Sequence, residues 1–292
     1  MANRLTVLKT YKVYIGGQFP RTESGRTYPL SDPRGKHIAH VCLCSRKDIR
    51  DAVVSARNAW GSWSKRAAFN RGQILYRMAE MLEGRKAQFV DEMQQMGLSK
   101  LAADKEVALS VDRLIYYSGW CDKYQQLFST VNPVASSHFN FSVLEPVGVV
   151  SVFAPTESPL LGLVSLIAPI IAGGNTCVVL SSETKPLSAV TLAEVLNSSD
   201  LPGGVVNVLT GKRKELMLPM ADHMDVNAVC ISSMYDSEIK LIQEKGTGNV
   251  KRVRYYENIR WDADTHQGPY FIQDFQEVKT TWHPIEQIGG AK

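Results

Sequence analysis

The chain has 292 residues, 44% apolar and 21% charged, with 33 basic against 29 acidic residues and a net charge of +4. That is ordinary for a globular protein, with length enough for one large or two modest domains around a buried core. The basic residues are scattered, which leaves no footprint for nucleic acid. Five cysteines, an odd and sparse set, build no disulfide framework and suit a reducing compartment. The opening MANRLTVLKTYKVYIGG has no apolar core of a signal peptide. The most apolar run, residues 160–174, contains Pro169 and falls short of the roughly 20 residues of a membrane span. We expect a cytoplasmic protein that neither crosses a membrane nor binds nucleic acid.

In chain order, residues 11–45 read as extended structure and turns, with Gly16-Gly17 and Pro33-Arg34-Gly35 as turn signals. Ser45 with Asp48 three residues on opens a helix, along which Ile49, Val53, Ala56 and Trp60 recur at helical spacing. Ile74, Leu75, Met78 and Leu82 mark a second helix stopped at Gly84; Phe89, Val90, Met93 and Met96 mark a third ending at Gly97. A fourth runs from Ser99 to about Leu127, and its methionine-rich neighbours are core filler. After Pro133 an alternating strand, HFNFSVLEP, changes the pattern.

Apolar strands separated by helices follow: 147–153, 177–180, 205–209, 226–231 and 250–255, with helices at 160–172, 187–196, 214–220 and 237–244. Short β-rich runs alternating with helices imply a parallel sheet with right-handed crossovers. The predicted fold is α/β: a Rossmann-like doubly wound sheet, an N-terminal helical layer and a small β arm.

Several sharper readings compete with bland ones. His37, His40, Cys42 and Cys44 lie close in sequence, but tetrahedral metal sites recruit ligands from separated elements, so we read a strand. Gly173-Gly174 and Gly203-Gly204 are turns, since no complete GxGxxG follows a strand. Glu157 and Glu183 could pair for acid–base work, although solvated loop glutamates are far commoner. None of the six histidines lies in a hydrolase motif.

The stretch Glu145 to Gly211, EPVGVVSVFAPTESPLLGLV through LPGGVVNVLTG, closely resembles the cofactor-binding part of aldehyde dehydrogenases. The resemblance covers residues 11–230 well, 231–267 poorly and 270–284 moderately. It implies that Pro155-Thr156-Glu157-Ser158-Pro159 matches the family's PWNFP-type turn, with Glu157 where an asparagine amide helps form the oxyanion hole. A carboxylate there would repel the developing oxyanion. It also implies that Leu180-Ser181-Ser182-Glu183 matches KPSE, keeping the ribose-binding glutamate as Glu183 but losing the lysine. Cys230-Ile231-Ser232-Ser233-Met234 matches FTGST, with Ser232 for the glycine that lets phosphate approach, Ser237 for a second glycine, and Asp236 adding negative charge. At the ELGG element stand Tyr256 or Glu257 with Asn258-Ile259, so no general base is assigned. No cysteine sits in the nucleophile's GQxC-type context, and without a thiolate no covalent intermediate forms.

The resemblance returns in QDFQEVKTTWHPIE, which is similar to the family's C-terminal arm strand; its partner here is 138–144. The expected organisation is therefore a Rossmann-like domain over 1–130 and 146–262, an oligomerisation arm over 131–145 and 268–288, and no catalytic domain. Phe139, Phe141, Val143, Phe275, Val278, Thr280 and Trp282 are the expected oligomerisation residues, and we assign no catalytic residue and no metal ligand. An exposed strand pair of this kind invites cover by another chain. The expected partner is a full-length aldehyde dehydrogenase relative in a hetero-oligomer that the chain scaffolds or regulates, or else a second copy through the arm. We expect no cofactor; the rival reading is an NAD(P)-binding oxidoreductase component or cofactor sensor, using Glu183 and Gly211.

Overall fold

The computed structural model of the protein describes residues 8–285. Strands β1 (Thr10–Tyr11), β2 (Thr27–Ser31) and β3 (His37–Cys42) form a small sheet in the order β1-β3-β2. Four helices follow: α1 (Arg46–Ser64), α2 (Ala68–Gly84), α3 (Lys86–Gln95) and α4 (Lys100–Trp120). The Ser45 signal works as read, because the Ser45 amide donates to Asp48 at 2.7 Å and the Lys47 amide donates to Ser45 Oγ at 3.2 Å.

The predicted fourth helix breaks after Trp120, and a separate short helix, α5 (Tyr124–Phe128), takes its place. A tertiary pairing overrides the helical period. Gln125 accepts from the Leu144 amide at 3.2 Å and donates to the Leu144 carbonyl at 2.6 Å, so α5 docks on the strand β5 (His138–Pro146).

The central sheet is parallel, in the order β10-β9-β6-β7-β8: β6 (Val149–Phe153), β7 (Thr176–Leu180), β8 (Val206–Leu209), β9 (Ala228–Ser232) and β10 (Arg252–Tyr256). Helices α6 (Leu161–Ala172), α7 (Leu187–Asn197), α8 (Arg213–Asp222) and α9 (Asp236–Gly246) make the crossovers. Alternate residues of each strand feed two cores. Val150, Val152, Cys177, Val179 and Cys230 pack toward α6 and α7, with α2, α3 and α4 outside them. Val149, Phe153, Val178, Leu180 and Ile231 pack toward α1, α8 and α9. Burial on both faces is why these strands read as continuous apolar runs. The strand expected from Val250 begins at Arg252 instead, because Val250 sits in the left-handed region at φ 56°.

A third sheet, β11-β5-β4, stands away from the domain, with β4 at Thr130–Asn132 and β11 at Gln276–Pro284. Strands β5 and β11 are antiparallel, from Gln276 opposite Pro146 to Pro284 opposite His138. Residues 268–275, assigned from sequence to the arm, fold differently: α10 (Tyr270–Gln273) packs on α6, and Ile272 and Phe275 enter the core. Arm residues 286–288 and domain residues 1–7 lie outside the described residues.

Candidate cofactor crevice and docking arm

In a doubly wound sheet the crevice opens at the carboxyl ends of the strands where the order reverses, here between β6 and β9. The turn after β6 is fastened from below. Helix α6 begins against it, and its first amides are satisfied by side chains rather than by solvent. Glu106 of α4 accepts from Leu160 and Leu161 at 3.1 and 2.9 Å, and Ser158 Oγ accepts from the Gly162 amide at 2.9 Å. Burial pushes the Glu106 carboxyl above its ordinary value, against the pull of these donors. Gly162 is required here, because a Cβ would strike the ring of Pro155.

Above this turn the crevice is bridged by its own side chains. Ser233 donates its hydroxyl to Glu157, joining the β9 and β6 ends. Arg213, the first residue of α8, reaches across to the Ser233 carbonyl at 3.3 Å and the Ala154 carbonyl at 3.5 Å. Ser182 Oγ donates to Thr156 Oγ1 at 3.1 Å. Ser233 holds φ 53°, so the left-handed backbone falls on it and not on Ser232. The Ser232 hydroxyl is buried without a partner among the described residues. At the start of α9, Glu238 accepts from the Tyr235 amide at 3.2 Å, and Asp236 adds a second carboxylate in the first turn. The anion-attracting end of that helix is thus answered from within the chain.

The two expected cofactor residues are placed differently from each other. Glu183 is exposed at the crevice, and its carboxylate accepts from the Arg213 amide at 3.1 Å, holding the α8 N-terminus. Gly211 is buried at φ 153°; a Cβ would come within 2.7 Å of Leu216, so this glycine serves packing. Glu157 and Glu183 therefore hold separate partners, Ser233 and Arg213. All five cysteines are buried, and burial raises the thiols of Cys44, Cys121, Cys177 and Cys230, Cys121 to about 12. Such thiols stay protonated at neutral pH and are poor nucleophiles. His37 and His40 do meet, with Nε2 atoms 3.2 Å apart, but Cys42 and Cys44 point into the core.

Residues 257–269, unreadable from sequence, fold back over α4 and α6. Trp261 is buried beside Gly162, and Arg113 of α4, itself buried, donates to the Trp261 carbonyl at 2.8 Å, the His266 carbonyl at 3.2 Å and Ser165 Oγ at 2.9 Å. Lys105 pairs with Asp262 at 2.8 Å. Sequence reasoning missed Glu106, Arg113 and Arg213. Each acts across a long sequence separation, and no local pattern marks it.

A family model, "Aldehyde dehydrogenase family", matches residues 20–255. The chain belongs to the aldehyde dehydrogenase family. It is 31% identical over 257 residues to cytosolic 10-formyltetrahydrofolate dehydrogenase of Xenopus tropicalis, covering 86% of this chain and 28% of that protein. It is 32% identical over 248 residues to mitochondrial benzaldehyde dehydrogenase of Antirrhinum majus, covering 83% and 46%. Among solved structures, the NAD+ complex of a Bacillus cereus aldehyde dehydrogenase superposes with a TM-score of 0.81 at 26% identity, over 85% of this chain and 51% of that one. The chain thus spans from about a quarter to half the length of these relatives. Membership agrees with the parallel sheet and its flanking helices, and with the Rossmann-like reading. Among the described residues no helix is long and apolar enough to cross a membrane.

On the arm, the expected oligomerisation residues divide by register. Phe139, Phe141 and Val143 share one face with Lys279 and Thr281, and the Phe139 and Phe141 rings lie 5.5 Å apart. Val278, Thr280 and Trp282 share the opposite face with Leu144, Ser142 and Asn140, and Thr280 exchanges a hydroxyl bond with Ser142 at 2.9 Å. Val131, Phe139, Val278 and Trp282 are exposed. Phe275 is a correction: it is 1% exposed and inside the core, because the strand begins only after it, so its side chain cannot meet a partner.

Proposed function

We propose that this aldehyde dehydrogenase-family chain is a non-catalytic subunit that docks through its arm onto a full-length relative and scaffolds or regulates it. The observation that carries this reading is the arm: a three-stranded sheet with apolar side chains exposed on both faces and β11 at an open edge. Such an edge accepts another chain by strand addition, with the aromatic residues as anchors. The crevice supports the same conclusion. By the resemblance, Glu157 stands for the family's oxyanion donor, and losing one such donor alone costs about 2.7–4 kcal/mol in a transition state. Only residues 257–275 join β10 to β11, which is no room for a further domain between them.

The same residues fit a dinucleotide poorly. Arg213 spans the gap, Ser232 and Ser233 replace a small flexible turn, and Asp236 and Glu238 occupy the start of α9. We therefore assign no step to NAD(P). The test is co-expression with full-length relatives followed by size-exclusion chromatography. Co-elution that Phe139→Glu or Trp282→Glu abolishes is the expected result; elution as a monomer in every mixture would refute it. A second reading, dinucleotide binding, draws on the exposed Glu183 and on likeness to a structure solved with NAD+. Titration calorimetry with NAD and NADP decides between them, since micromolar binding would favour the second.

A further inference from the structure

On the opposite side of the domain from the crevice, at the root of the arm, lies a cavity of about 570 Å³. Its wall is formed by the end of α1, the start of α2, the end of α4 and the strand β5 where it enters the domain. Two cations of this wall lack an anionic partner. Arg71 is 6% exposed, and its guanidinium donates to two backbone carbonyls, Ala172 at 3.1 Å and Arg66 at 2.6 Å. No carboxylate pairs with it among the described residues. Lys65 likewise has no carboxylate within ion-pair distance among them.

A buried guanidinium without a counter-charge is costly, because desolvation is offset only by neutral oxygens. The negative end of α6 accounts for part of it, since Ala172 closes that helix. The other carbonyls of that end are already served by different donors: Trp63 Nε1 to Ile171 at 3.0 Å and Gln276 Nε2 to Gly173 at 3.0 Å. Two carboxylates also line the cavity. Glu145 is tied to Lys279 at 2.9 Å, while Asp122 is bonded to neither cation. The first turn of α2 faces the same space and has no side-chain cap. The Trp60 ring, Ala68, Leu144 and Pro146 add apolar wall.

We propose that this cavity binds a small organic anion, with its carboxylate or phosphate on Arg71 and Lys65 and its apolar body against Trp60, Leu144 and Pro146. The fork of Arg71 and the point charge of Lys65 suit an oxyanion, and the volume lies in the range of small-ligand sites. The site is separate from the crevice.

Calorimetric titration of the full chain with benzoate and with inorganic phosphate, against sodium chloride at equal ionic strength, tests it. Saturable binding of either probe is expected, weakened about tenfold by Lys65→Glu and, for benzoate, by Trp60→Ala, which removes apolar wall. Both residues are at least partly exposed, so both variants should fold, as their urea midpoints will report. Arg71→Lys, which keeps the charge without the fork, should weaken binding but retain some affinity. Heat no different from sodium chloride, or equal affinity in the Lys65 and Trp60 variants, would overturn the proposal.

Discussion

Replacing Arg113 by alanine should free residues 257–269, which fold back over α4 and α6. Two of its three hydrogen bonds, to the Trp261 carbonyl and Ser165 Oγ, are buried, while the third, to His266, is partly open to water. A hydrogen bond to a charged donor contributes about 1.5–3 kcal/mol, and a buried acceptor left bare loses about as much. Removing the buried charge returns part of its desolvation cost. The net loss should be about 3 kcal/mol in urea unfolding, and Arg113→Lys, which keeps charge without the fork, should lose about half of that. Limited proteolysis should then cut within residues 257–269 while the sheet stays resistant. A loss under about 1 kcal/mol, or proteolysis unchanged within that segment, would refute the view that Arg113 pins it.

Other expectations follow from single residues. Val250 is β-branched, 91% exposed and at φ 56°, so Val250→Gly should stabilise by about 1 kcal/mol and raise Tm by roughly 1–3 °C in calorimetry. Phe275→Ala should cost about 3–5 kcal/mol in urea unfolding, whereas Val278→Ala, 66% exposed, should fall within about 0.5 kcal/mol. Glu92 is buried, accepts from Tyr11 and Thr191 at 2.9 and 2.8 Å, and has its pKa raised above 4.5, first by desolvation. The folded state therefore holds its proton more tightly than the unfolded chain. That stability is complete below pH 4.5 and is lost as pH rises through the folded value; unfolding midpoints across this window should slope downward, and Glu92→Gln should flatten the slope.

Much of the fold was written in local patterns. Apolar runs at strand length, alternating with helical periods, sufficed for a parallel sheet, because a strand buried on both faces must be apolar throughout. The Ser45–Asp48 signal placed a helix start for the same local reason, a side chain answering amides three residues away. The arm strand 138–146 was legible from its alternation, and β11 was found through resemblance.

What the linear pattern did not contain were decisions made by distant neighbours. The helix after Trp120 breaks because Gln125 pairs with the Leu144 backbone. Phe275 leaves the arm because the core takes its ring, and Gly211 packs closely against Leu216. The two sets of expected arm residues fall on opposite faces because cross-strand register, not composition, fixes which side a residue takes. Sequence settled most of the strands and helices, since those choices depend largely on neighbours within a turn or two. Tertiary structure alone settled which polar groups meet, as with Arg213 across the crevice and Arg71 at the arm root, since a hydrogen bond depends on atoms the chain brings together only once folded.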